Sequence, residues 1–158
     1  MTNNQKDSPN INKNIHPPFV ALFYLIMGIL LQRFLPIPIQ ISPILQNAGF
    51  GLIFLGFLCG VGAFLEFRKA RTTLDPHGSV KVLVTNGIYR FTRNPIYLGF
   101  LFMVLGFPLN YGSLWGIIIA PFFIITINRM VIEKEETYLE KKFGEAYTSY
   151  KSKVRRWL

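Results

Sequence analysis

Charge and reactive side chains are scarce in this chain. Of its 158 residues only 16% are charged, two are histidine and one is cysteine. The lone cysteine, Cys59, lies inside an apolar block, where it reads as a packing residue, and no metal-ligand or redox spacing exists around it. No Ser/His/Asp set, Walker motif or G-x-G-x-x-G segment occurs, so neither a phosphate-cradling loop nor a dinucleotide-binding turn is encoded. Neither His16 nor His77 lies in a catalytic pattern. His77, in the turn-forming run Asp75-Pro76-His77-Gly78, reads as a loop residue. Acidic residues are few: eight Asp and Glu face 17 Lys and Arg, a net charge of +9. No basic stripe with interleaved aromatics runs through a polar segment, so the charge does not argue for nucleic acid. A cleavable secretion signal is not expected, because residues 1–16 are polar and Asn-rich and no small-residue site follows the first apolar block. That stretch reads as a disordered cytosolic tail.

What the chain has is hydrophobicity, at 51% of residues with 15 Phe, and it is concentrated in long blocks rather than amphipathic stripes. A bilayer-spanning helix needs roughly 20 mostly apolar residues. Blocks at about 19–35, 44–67, 94–108 and 114–132 approach that length, the third being the shortest. They predict an all-α polytopic membrane protein with about four membrane-embedded helices. Pro17 and Pro18 suit a helix start, where a missing N–H costs nothing. Pro121 predicts a kink in the fourth helix. Gly56 and Gly60 form a G-x-x-x-G pair of the kind that lets membrane helices approach closely. A tight turn at 110–113 makes the third and fourth blocks a hairpin. Beyond residue 132 the chain turns charged, with Leu139, Phe143, Tyr147, Tyr150 and Val154 spaced by three and four, which predicts a C-terminal amphipathic helix interrupted at Gly144.

Topology follows from charge. Six basic residues lie between the second and third blocks and eight from Arg129 onward, whereas the loop after the first block carries none. The positive-inside rule therefore puts the central loop and both termini in the cytosol, and the expected location is the inner membrane of a prokaryotic cell. Residues 17–158 read as one domain.

Two segments could carry chemistry. Residues 83–97 contain Arg90 and Arg93, which can pair with carboxylates, Tyr89 and Tyr97, which offer stacking faces and hydroxyls, and Gly87, which lets the backbone approach a ligand. The alternative is a membrane-surface loop with its Arg at the headgroups and its Tyr in the aromatic belt. The second segment, Glu133-Lys134-Glu135-Glu136, places adjacent carboxylates at a membrane exit, where they could accept bonds from ribose hydroxyls or an amino group. Surface acids on an amphipathic helix are the plainer alternative.

Residues 83–99 read L-V-T-N-G-I-Y-R-F-T-R-N-P-I-Y-L-G, and residues 135–157 read E-E-T-Y-L-E-K-K-F-G-E-A-Y-T-S-Y-K-S-K-V-R-R-W. Together, over about residues 70–158, they resemble the isoprenylcysteine carboxyl methyltransferase and phospholipid methyltransferase superfamily of integral membrane enzymes. The family pattern is L-V-x-x-G-x-Y-x-x-x-R-H-P-x-Y, a helical hairpin, then E-E-x-x-L-x-x-x-F-G-x-x-Y-x-x-Y. The resemblance implies a helical methyltransferase whose loops enclose S-adenosylmethionine, with a lipid or lipophilic acceptor bearing a carboxylate or amine and no metal. By similarity Lys81, Val82, Leu83, Val84, Tyr89, Asn94, Pro95, Ile96 and Tyr97 line the cofactor, with Gly87 and Arg93 beside them. Glu135 falls at the family's cofactor-binding glutamate and Glu136 completes the pair. Two positions depart from the pattern. Asn94 stands where many members have His, and the family's substrate-orienting Arg falls near Val131, two positions from Arg129. The competing readings are a non-catalytic lipid-binding or scaffold protein and a small transporter. The transporter is disfavoured because no charged residue sits mid-block.

Overall fold

The computed structural model describes residues 8, 9, 11, 12, 15–72 and 80–158. Among them the secondary structure is entirely helical. The expected turn at 75–78 and much of the expected tail at 1–16 lie outside the described residues. Of that tail, Ile11 is buried.

The first helix, α1 (Pro17–Phe34), opens on its two prolines. The second, α2 (Pro43–Lys69), opens on Pro43 with Ser42 as N-cap, its hydroxyl accepting the Leu45 N–H at 3.4 Å. After the loop, Gly87–Arg90 form a single 3-10 turn, and α3 (Pro95–Asn110) starts on another proline. The fourth helix, α4 (Trp115–Ile127), runs through Pro121 without a break. It widens into a π turn at Asn128–Ile132 and continues as α5 (Glu133–Phe143). Gly144, at φ +52°, ends α5, and α6 (Glu145–Lys153) follows.

Helices α1, α2 and the continuous Trp115–Phe143 are each long and apolar enough to cross a membrane, and α3 is a shorter apolar helix beside them. At 1.5 Å per residue the 16 residues of α3 reach about 24 Å. Many of the large apolar side chains of these helices point outward: Phe19, Phe23, Phe54, Phe57 and Phe122 are all more than half exposed. A soluble protein could not tolerate so large an apolar surface, whereas a bilayer solvates it. The chain is an integral membrane protein.

The bundle is tied at both ends and through the middle. Away from the polar end, the Trp115 indole donates to the Leu35 carbonyl at 2.9 Å, and Asn110 Nδ2 donates to the Gln46 carbonyl at 3.1 Å. Between them the Tyr24 and Thr126 hydroxyls meet at 2.8 Å, joining α1 to α4. Helices α2 and α3 meet through glycine. A Cβ on Gly56 would lie 2.7 Å from the Gly99 carbonyl oxygen, and one on Gly49 2.8 Å from that of Gly106. The close-approach pair is therefore Gly49 and Gly56, spaced by seven, and not the expected Gly56 and Gly60. A Cβ on Gly60 would meet nothing within 4 Å.

The fourth helix also corrects the sequence reading. It does not stop at residue 132, and a π turn at Asn128–Ile132 follows the stretch that holds Pro121. Phe123, Ile127, Ile132 and Glu136 are all buried. Val131 is buried beside Ile132, so both positions of the π turn's last step face inward. Beyond it Glu136 is the less exposed of the two adjacent carboxylates.

Candidate functional site

At the polar end a recess forms between the last turn of α2, the loop at 80–86, the 3-10 turn, the head of α3, and helices α5 and α6. Its cavity volume is about 120 Å³, and it is open at its mouth. Val82, Leu83, Val84 and Ile96 give it an apolar wall, and Tyr89 and Tyr97 an aromatic one. Its polar groups are Arg93, Asn94, Glu135, Glu136 and the hydroxyls of Tyr138, Tyr147 and Tyr150.

Each side chain is held by a specific contact. Tyr97, in the first turn of α3, donates its hydroxyl to Glu135 Oε1 at 2.8 Å. Helix α5 is polar and continues past the apolar stretch that ends at Ile132, so its carboxylates lie outside the membrane-spanning part. Burial pushes the Glu135 carboxyl up to about 7; the Tyr97 hydrogen bond opposes this rise, and the charge of Glu136 adds to it.

Glu136, 6% exposed, has a different environment. Arg93 Nη2 lies 3.0 Å from its Oε1, while Arg156 approaches both oxygens, Nε to Oε1 at 3.0 Å and Nη2 to Oε2 at 2.7 Å. A buried carboxylate is tolerable only when paired and hydrogen-bonded in this way. Arg93, whose side chain is 8% exposed, keeps Nε and Nη1 buried with no protein partner.

The C-terminal segment closes the site from behind. The Arg155 carbonyl accepts the Arg93 N–H at 3.0 Å. The Arg156 carbonyl accepts the Asn94 side-chain amide at 2.9 Å and the Thr92 hydroxyl at 3.2 Å. Trp157 Nε1 donates to Asn128 Oδ1 at 3.2 Å, reaching the π turn. From α6, the Tyr150 hydroxyl donates to the Tyr89 carbonyl at 2.6 Å.

Most residues singled out in the sequence converge on this recess; Lys81, Gly87, Arg90, Arg129 and Glu133 do not line it. Lys81 is exposed, with its N–H bonded to the Thr72 hydroxyl. Gly87, at φ +59°, serves the turn instead: a Cβ there would fall 2.6 Å from the Glu66 carboxylate. Arg129 is exposed on the π turn. Sequence reasoning missed Pro9, Phe67, Val80, Tyr138, Leu139, Tyr147 and Tyr150 as wall residues. Tyr138 and Leu139 stand three and four positions after Glu135 and could have been found as its helical neighbours. Pro9 and Phe67 carried no such signal. Arg156 was missed because its contacts span 20 and more residues.

The family model for phospholipid methyltransferases matches residues 45–146. An "uncharacterized protein" of Haemophilus influenzae is 50% identical over 63 residues, 40% of this chain and the whole of that protein. The protein-S-isoprenylcysteine O-methyltransferase of Schizosaccharomyces pombe is 30% identical over 108 residues, 63% of this chain and 45% of the enzyme. The B form from Arabidopsis thaliana is 30% identical over 118 residues, 70% of this chain and 57% of the enzyme. The chain thus spans about half the length of these isoprenylcysteine enzymes. No solved structure matches. With more than half of its length matched by the family model, the chain belongs to the phospholipid methyltransferase family.

Proposed function

We propose that this protein transfers a methyl group from S-adenosylmethionine to a lipophilic acceptor, a carboxylate or an amine, at the cytosolic face of the membrane. The observation that carries the reading is the mixed polarity of the recess. Glu135 has one hydrogen-bond partner and spare acceptor capacity, while Arg93 has two buried donors unspent. Such a recess suits a ligand with cationic or hydroxyl groups at one place and an anionic group at another, and the cofactor has both. Bound there, it supplies a methyl group already attached to a good leaving group, a sulfonium.

The chain's own residues then have little acid–base work. Glu135 accepts from ligand hydroxyls or ammonium. Tyr89 and Tyr97 offer their ring faces and narrow the recess. Helices α5 and α6, with the C-terminal segment, exclude water. Displacement requires the reacting atoms to be held in line at about 3–3.5 Å, so positioning is the main contribution. A carboxylate acceptor needs no base, and an amine must arrive unprotonated. A site at the polar end of membrane helices meets a water-soluble donor on one side and a lipid on the other. The basic residues gathered at that end favour the cytosolic side.

Isothermal titration of the detergent-solubilised protein with S-adenosylmethionine tests this reading. Saturable binding at one site is expected, together with transfer of labelled methyl to membrane lipid extract. A folded protein that binds no S-adenosylmethionine would end the proposal.

A further inference from the structure

Arg93 is held in an unusual state for a buried guanidinium. Among the described residues only Nη2 of its side chain is paired, to Glu136, while Nε and Nη1 are buried without a partner and the side chain lines the recess. Leaving buried donors of a charged group unsatisfied is costly unless something else completes them. Glu136 cannot do so. Both of its oxygens are taken by Arg156, from the C-terminal segment, and its single negative charge is shared between two guanidinium groups. Lys151, 4.0 Å from the same carboxylate, adds positive charge and is itself paired with Glu140. Glu133, 4.0 Å from Arg156 Nη1, balances the charge of the cluster, so what Arg93 lacks is hydrogen-bond acceptors at Nε and Nη1.

We propose that Arg156 is a positioning residue. By occupying Glu136, it holds the Arg93 guanidinium with two donors free to receive an anionic group of the bound ligand. Without Arg156, Glu136 can turn both oxygens toward Arg93 and neutralise it bidentately, the geometry that carboxylate and guanidinium prefer. The anionic site would then close. Arg156 stays in place because its own backbone is fixed, its carbonyl bonded to Thr92 and Asn94 at the head of α3. The strap and the receptor are thereby parts of one device. This inference rests on the methyl-transfer reading for the ligand's identity, but not for the existence of the anion site. The anion can come from two sources, the amino-acid carboxylate of the methyl donor or a free carboxylate on the acceptor.

Paired ligands distinguish the sources and separate positioning from mere structure. Binding of S-adenosylhomocysteine and its decarboxylated analogue would be measured on the wild type, Arg93→Gln and Arg156→Gln, alongside S-farnesylcysteine and its carboxamide. If the anion belongs to the donor, the wild type prefers the carboxylated S-adenosyl ligand by about ten- to a hundredfold. Arg93→Gln abolishes that preference. Arg156→Gln reduces it several-fold while leaving the decarboxylated analogue's affinity unchanged. The same pattern in the farnesyl pair assigns the anion to the acceptor and supports the proposal equally. Arg156→Lys, which keeps the charge and one bond, serves if Arg156→Gln melts early, and is expected to retain part of the preference. Equal loss of affinity for both members of a pair in the Arg156 variant would make its role structural only and overturn the proposal. So would a wild type that discriminates within neither pair. Failure of both S-adenosyl ligands to bind overturns the methyl-donor reading separately, and the farnesyl pair then decides Arg93 alone.

Discussion

The Tyr97 hydroxyl donates to Glu135 Oε1 at 2.8 Å, joining the first turn of α3 to a helix that begins 38 residues later in the chain. This bond fixes which of the two adjacent carboxylates faces the recess as an acceptor and which is committed to arginine. Glu135 and Glu136 look equivalent in sequence, yet one is available to a ligand and the other is a structural ion-pair centre.

Glu135→Gln should leave the fold intact, because the amide oxygen still accepts from Tyr97, and should weaken S-adenosylmethionine binding. Replacing a charge-assisted hydrogen bond by a neutral one costs roughly 1.5–3 kcal/mol, about ten- to a hundredfold in affinity. Titration calorimetry on the variant checks this, and an unchanged affinity would remove Glu135 from the ligand site.

A pH dependence follows from the raised Glu135 carboxyl, near 7 against 4.5. The folded state favours its protonated form. Its contribution to stability is therefore most favourable below the unfolded value, declines as pH rises from 4.5 towards 7, and is flat above. Ligand binding has the opposite sense, since donors on the ligand require the carboxylate. Between pH 6 and 8 the ionised fraction rises about tenfold, so affinity should rise by about the same factor and then level off. In Glu135→Gln this step should vanish; its persistence there would assign the titration to another group.

Glu136→Ala should be far more harmful to stability than Glu135→Gln. It strips the buried Arg93 of its ion-pair partner among the described residues and frees Arg156. Breaking a buried pair from one side costs about 3–5 kcal/mol. Denaturation in detergent should place this variant well below the wild type, while equal stability would mean that water reaches Arg93.

Helix packing offers a paired test. A side chain at Gly99 meets the Gly56 carbonyl, and backbone cannot step aside. Gly99→Val should lose at least the roughly 1–3 kcal/mol typical of overpacking. Gly60→Val, which faces open space, should be neutral. Comparable melting temperatures for the two would contradict the α2–α3 contact.

Sidedness can be read by labelling. With Cys59 replaced by Ala, single cysteines at Gln40 and Lys81, both exposed, should react with an impermeant maleimide from opposite faces. Gln40 is expected to label in intact cells and Lys81 only after permeabilisation. The reverse pattern would put the recess on the outer side.

The sequence by itself determined the membrane character, the four apolar helices, the hairpin turn and the two motifs. Each of these is local: block length against bilayer thickness, prolines at helix starts, glycine at a left-handed turn, and side chains in consecutive order. It also brought Gly144 into view as the break between α5 and α6, because φ +52° is a backbone demand that one residue expresses alone. Tertiary structure decided the rest. Which glycines touch depends on how α2 crosses α3, so Gly49 and Gly56 were not separable from Gly60 by spacing. Which carboxylate is left for a ligand depends on which one Arg93 and Arg156 reach, and that has no signature in residue type. Arg156 could not be read as part of the site, because its partners Glu136, Thr92 and Asn94 lie 20, 64 and 62 positions away. Hydrogen bonds of that span exist only after the chain has folded back on itself, when burial of Glu136 makes a second guanidinium energetically worthwhile.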